Sequence, residues 1–72
     1  MTEKFRKDAW VKWNWGSGDA EGQVQEVFTR RVERTLKGTK VVRDADEDNP
    51  AYLLRQEDGD EVLKSHSELR KR

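Results

Sequence analysis

The chain has 72 residues, 32% of them apolar and 42% charged, with fifteen basic and fifteen acidic side chains that leave no net charge. Its length, near the lower limit for a hydrophobic core, points to one domain over residues 1–72 with an ordered core at about 5–69. With no cysteine there is no disulfide, thiolate zinc site or thiol nucleophile; no apolar run nears the ~18 residues of a membrane span, and the segment Thr2–Asp8 lacks a signal-peptide core, so a cytosolic monomer without cofactor or membrane contact is expected.

Residues 10–15, W-V-K-W-N-W, place Val11, Trp13 and Trp15 at period two, the signature of a strand with one buried face. Lys12 and Asn14 point the other way, with Trp10 beside them. Gly16-Ser17-Gly18 supplies a turn. Residues 22–29 resume strand-forming sequence, but Val24 and Val27 fall on opposite faces of a regular strand, which calls for a bulge near Gln25 or Glu26. Val32 and Leu36 share a face of a third strand, and Lys37-Gly38 is a two-residue hairpin turn into residues 39–43. A polar loop, D-A-D-E-D-N-P at 44–50, precedes a strand at 51–56, a hairpin signal at Asp58-Gly59 and a return strand at 61–64. Ser65-His66-Ser67-Glu68 matches the capping box of a helix start, and the basic tail suits a helix C-terminus.

So polar a composition borders on disorder. Three tryptophans, two phenylalanines and a tyrosine counter it, since each aromatic buries roughly 150–250 Å². The reading is all-β: a small SH3- or Tudor-like barrel of five or so antiparallel strands with a short C-terminal helical turn, because an open sheet of this size would leave its edges unpaired and its tryptophan face wet. Trp13, Phe28 and Tyr52 are assigned to the core; Trp10 is expected to be the most exposed tryptophan and Trp15 the next.

The runs W-N-W-G-S-G-D-A-E-G-Q-V (13–24), R-T-L-K-G-T (34–39) and E-D-N-P-A-Y-L-L-R-Q-E-D-G-D-E-V-L-K-S-H-S-E-L (47–69) closely resemble the hypervirulence-associated Tudor-domain family, over roughly residues 4–70. The resemblance implies a Tudor-like barrel and little about activity. Where such proteins often read G-D-x-V ahead of the tryptophans, this chain has Lys7-Asp8-Ala9-Trp10.

Candidate chemistry is sparse. Ser65, His66 and Ser67 are sequence neighbours, which rarely meet in triad geometry, so no catalytic residue is assigned. Asp44, Asp46 and Asp48 open like a calcium loop, but Asn49 and Arg55 stand where that loop needs a glycine and a bidentate acid, so no metal site is assigned either. Trp10, Trp15 and Tyr52, with Asp48 as counter-charge, are candidate walls of a cation-binding aromatic face. Charge is uneven: residues 1–43 carry ten basic and six acidic side chains, residues 44–61 one and eight. Arg30, Arg31, Arg34, Lys37, Lys40 and Arg43 form a candidate basic patch for phosphates on one hairpin. A non-catalytic interaction module for protein or peptide is the leading expectation, with a nucleic-acid-binding barrel using the 30–43 hairpin as the alternative.

Overall fold

A computed structural model describes residues 4–72; Thr2 and Glu3 of the N-terminal segment lie outside the described residues. The chain forms β1 (Trp10–Trp15), β2 (Gly18–Phe28), β3 (Val32–Leu36), β4 (Thr39–Arg43), β5 (Ala51–Arg55), β6 (Glu61–Ser65), a 3₁₀ turn at His66–Glu68 and β7 (Arg70–Lys71). Every ladder is antiparallel. One sheet runs β6-β5-β2-β1-β7, and β3-β4 is a separate hairpin laid against it. This is the all-β, Tudor-like architecture expected.

The long strand β2 organises the sheet because it serves two partners. Its first half pairs with β1, from Trp15↔Gly18 to Trp10↔Gln23, and its second half pairs with β5. Between the halves, Val24 opposes Leu54 and Glu26 opposes Leu53, which leaves Gln25 as the extra residue of a bulge. A bulge bends the strand and increases its twist. The bulge brings Val24 and Val27 onto one face, opposite Leu54 and Tyr52; Val24 is buried there, while Val27, nearer the end of the strand, is 42% exposed.

Two apolar clusters follow from the bend. On one face, Val11, Trp13, Val24, Tyr52, Leu54 and Leu69 pack together under Phe5 and Ala9 of the N-terminal segment. On the other, Val32, Ala51 and Leu63 pack with Phe28, Leu36 and Val41, which fixes the β3-β4 hairpin to the sheet. The run Ala51–Leu54 is buried throughout because β5 is covered on both faces.

Turn chemistry matches the sequence in one hairpin and differs in the other. Lys37 and Gly38 both take positive φ, 51° and 76°, as a type I′ turn requires. At Asp58-Gly59 the turn is not of the primed two-residue kind. The Gln56 carbonyl accepts the Gly59 N–H (2.9 Å), the Gln56 N–H donates to the Asp60 carbonyl (2.7 Å), and the left-handed conformation falls on Gly59 alone, at φ 91°. That is a three-residue loop closed by a glycine bulge.

The C-terminus makes the short helical turn expected, and only its basic tail departs from expectation. The Ser65 N–H donates to Glu68 Oε2 (2.7 Å), the returning half of the capping box, but the helix stops after one 3₁₀ turn. Leu69 is extended and drops into the core, which carries Arg70 and Lys71 alongside β1 as β7. The basic tail therefore covers a sheet edge instead of ending a helix. Its ion pairs Arg70–Asp19 (2.8 Å) and Arg72–Glu21 (3.2 Å) hold it there.

The seam between β4 and β6 carries no ladder among the described residues. Two ion pairs join it instead: Lys37 Nζ to Asp60 Oδ2 at 2.6 Å, and Arg43 Nε to Glu68 Oε2 at 3.2 Å. Lys37 precedes β4 and Asp60 precedes β6, whereas Arg43 ends β4 and Glu68 follows β6. The two strands therefore run in the same direction.

The tightest packing lies at Gly22, where a Cβ would meet the Trp13 ring at 3.0 Å and the Arg55 carbonyl oxygen at 3.1 Å. Gly18, with nothing within 4 Å, is the matching control on the same strand. We expect Gly22→Ala to lose about 1–3 kcal/mol, the usual cost of overpacking, and Gly18→Ala to stay within about 1 kcal/mol of wild type. Urea unfolding followed by tryptophan fluorescence measures both; equal midpoints would mean that Trp13 does not lie on Gly22.

Candidate functional site

The seam leaves a groove of about 320 Å³ between the hairpin and β6. Leu36, Val41, Val62 and Leu63 give it an apolar lining, with Arg43 and Lys64 on its walls. A smaller cleft of about 90 Å³ lies on the other side of β6, lined by Trp13, Trp15 and Gln56 together with the same Val62 and Lys64. β6 thus separates two adjoining apolar hollows. It is also the terminal strand of the five-stranded sheet.

Sequence reasoning did not find this groove. Its walls come from strands that are neither adjacent in sequence nor hydrogen-bonded to one another. The one available signal was the consecutive apolar pair Val62-Leu63, which breaks the alternation of a half-solvated strand and marks one with both faces in use.

The proposed basic patch is dispersed and largely neutralised. Arg31 pairs with Glu33 and Asp44, Arg34 with Glu26, Lys37 with Asp60, Lys40 with Glu33, and Arg43 with Glu68. Arg30 is the member for which no carboxylate lies within 4 Å among the described residues. Register divides them further: Arg34 and Arg43 share the hairpin face that carries Val32, Val41 and Leu36, while Lys40 lies on the opposite face with Glu33. Arg34 also stacks over Phe28, its guanidinium carbon 4.9 Å from the ring centroid.

Two of these arginines protect strand edges. In a hairpin closed by a two-residue turn, Glu33 and Val42 direct their carbonyls away from the ladder. Arg34 Nη1 donates to the Glu33 carbonyl (3.1 Å) and Arg43 Nη1 to the Val42 carbonyl (3.0 Å). Charged side chains on an edge are a common means of blocking unwanted strand pairing.

The structure does not bring the four candidate cage residues together. Tyr52 is fully buried and its hydroxyl is occupied: it accepts the Phe5 N–H at 3.2 Å and lies 3.0 Å from His66 Nδ1. Trp10 and Trp15 lie on opposite faces of β1, with about 17 Å of strand between them at ~3.3 Å per residue. Asp48 sits in the 44–50 loop, its N–H given to Asp46 Oδ1 (2.9 Å). The expected order of exposure is reversed as well. Trp15 is 71% exposed, while Trp10 is half-buried beneath the Arg72 guanidinium, 4.9 Å from its ring. The core covers Val11 and Trp13 but ends before the hairpin tip, and the C-terminal tail that shields Trp10 was not visible as a strand in the sequence.

The acidic loop is organised by its own backbone. Asp46 Oδ1 accepts the Asp48 and Asn49 N–H groups, the latter at 2.7 Å. Asn49 Oδ1 reaches across to accept the Ser67 N–H (3.0 Å), which ties the loop to the 3₁₀ turn.

A model of the hypervirulence-associated protein Tudor domain matches residues 9–69. The chain belongs to that family. No match was found among curated proteins or among solved structures. The match covers both halves of β2, the hairpin and β6, so the groove lies wholly within the family's domain. In this Tudor domain a positive φ of 73° falls on Asp8, and the turn is held by the Ala9 N–H to the Arg6 carbonyl (3.0 Å). Asp8 tolerates that conformation better than most residues, because its short side chain bonds locally.

One polar cluster inside the Tudor domain is tied to the protonation of His66. The Tyr52 oxygen accepts the Phe5 N–H and lies 3.0 Å from His66 Nδ1, a pair in which the tyrosine donates when Nδ1 is the bare nitrogen of a neutral imidazole. The Phe5 ring completes the cluster, 5.1 Å from the imidazole. Burial, and then the nearby Lys4, hold the His66 pKa below its ordinary 6.5. Burial pushes Glu68 up, but the Ser65 N–H and Arg43 outweigh it and keep the carboxyl below its ordinary 4.5. Both groups therefore stabilise the fold at neutral pH. The His66 contribution is complete above 6.5 and is lost as pH falls from there through the folded value; the Glu68 contribution is lost in a lower window, below 4.5. We expect the thermal midpoint to fall between pH 7 and pH 5, and His66→Gln to flatten that part of the profile while leaving the decline below pH 4.5. A wild-type midpoint constant from pH 7 to pH 5 would mean that His66 is not held neutral.

Proposed function

We propose that this Tudor domain is a small non-catalytic interaction module that binds a polypeptide segment in the groove between β4 and β6. The observation that carries the reading is the groove itself: an apolar hollow beside a terminal strand, bordered by two surface ion pairs that hold it only weakly. Terminal strands with adjoining apolar pockets are a recurrent means of recognising extended peptides. The pairing of the basic hairpin with Glu26, Glu33, Asp44, Asp60 and Glu68 weighs against phosphate binding, because those cations are already matched.

Panning the full chain against a displayed library of random dodecapeptides tests the reading. Enriched peptides are expected to shift the amide NMR signals of Val41, Val62 and Leu63. Val41→Glu, which places a charge on a half-buried groove wall, is expected to weaken binding at least tenfold while the fold persists. A library that yields no binder overturns the reading. So does a single-stranded oligonucleotide that, at low salt, binds and shifts residues 30–43.

A further inference from the structure

The two hollows beside β6 share Val62 and Lys64, and together they form a strip from Leu36 and Val41 across the strand to Trp15. Val62 and Lys64 project from the same face of the sheet as Trp13 and Trp15, because Val62 opposes Leu54, which opposes Val24, and Lys64 opposes Tyr52. Trp15 is the most exposed large apolar side chain among the described residues, at 71%. Tryptophan is among the residue types most enriched at positions that dominate binding energy, and here it lies on a strip that already holds Leu36, Val41, Val62 and the stem of a lysine.

The charge on the strip distinguishes one kind of partner. Seven of the described cations lie within 4 Å of a carboxylate: Arg31, Arg34, Lys37, Lys40, Arg43, Arg70 and Arg72. Lys64 is not among them, yet it lines both hollows. Its nearest acidic influence is Glu68, whose carboxylate is engaged by Arg43 and by the Ser65 N–H. Asp60, at the other end of the groove, is held by Lys37; Glu61, which also lines the groove, opposes Arg55 in the ladder register with no cation within 4 Å among the described residues. The strip therefore presents a tryptophan, an aliphatic floor and, between them, the Lys64 ammonium, with the Glu61 carboxylate at the groove's Lys37 end.

We propose that the strip from Val41 across Val62 and Lys64 to Trp15 docks an extended polypeptide in which an acidic residue is flanked by apolar side chains. The carboxylate meets the Lys64 ammonium, one flanking side chain enters the groove at Leu36 and Val41, and the other packs on Trp15. An extended chain suits this division because successive side chains point to opposite sides, as the two hollows do about β6. The proposal rests on the polypeptide-binding reading and adds the partner's chemistry to it.

Dodecapeptides enriched from the displayed library are the probe, synthesised and titrated into the labelled full chain. We expect them to share an Asp or Glu between apolar residues, and to shift the Trp15 indole and the Lys64 amide together. Lys64→Glu should weaken binding about tenfold or more through like-charge juxtaposition, and exchanging the peptide's acid for lysine should restore it. Trp15→Ala should weaken binding with little change in the thermal midpoint, since the side chain is exposed. Enriched peptides without an acid, or undiminished binding to the Lys64→Glu variant, would overturn this inference while leaving the polypeptide-binding reading intact. An empty library would overturn both. Concentration-dependent self-association abolished by Lys64→Glu would assign the strip to a second copy of the chain and overturn the peptide.

Discussion

The arrangement of this domain depends on β2 serving two partners in succession. A strand that pairs with β1 along its first half and β5 along its second must change direction between them, and the chain meets that demand with two features three residues apart. Gly22 has no side chain, so the Trp13 ring can lie against it and against the Arg55 carbonyl. Gln25 is an inserted residue, so the ladder resumes with Glu26 opposite Leu53. The bend separates the apolar residues into two clusters, one beneath Phe5 and one beneath the hairpin. It also decides that the hairpin meets β6 by side-chain packing and ion pairs, without a ladder. The groove is thus a consequence of how β2 turns.

Much of this was legible in the sequence because it is local. The period-two run Val11-Trp13-Trp15 gave β1 and its phase. The mismatch of Val24 and Val27 located the bulge to within a residue. Lys37-Gly38 identified a turn whose two residues both need positive φ. Ser65 and Glu68 identified the cap. Each of these is specified by residues within a few positions of one another. Failures begin where the deciding partner is remote. The basic tail was read as a helix end because the free edge of β1, some sixty residues earlier, was not in view; that same tail shields Trp10 and reverses the order of tryptophan exposure. At Asp58-Gly59 the glycine was identified correctly, but the loop length was set by which residues of β5 and β6 pair, a register fixed by the core.

The candidate site was less legible than the fold for the same reason. Tyr52 was available as a cage wall only while its partners were unknown; once Phe5 and His66 are placed beside it, its hydroxyl has no remaining role at the surface. The basic residues of 30–43 read as a patch because their spacing in sequence is dense. In space they alternate between the faces of a hairpin and meet acids from four other segments.

That matching explains how a chain with so many charges and no net charge remains specific. Each exposed ion pair contributes little to stability. What the pairs determine is which charges remain available. Arg34 and Arg43 are directed to carbonyls on strand edges, where they oppose edge-to-edge association, and Lys37 and Arg43 hold the two ends of the seam. Seven of the fifteen cations are matched in this way among the described residues, and what sets Lys64 apart from the other unmatched ones is its position. Lys64 stands between an exposed tryptophan and an aliphatic groove, on a strand with no further ladder partner among the described residues. At that position a partner's carboxylate does not have to displace one of the domain's own carboxylates. The same logic weakens the case for a phosphate backbone: its binding would require several matched pairs to be broken, each returning about as much as it costs.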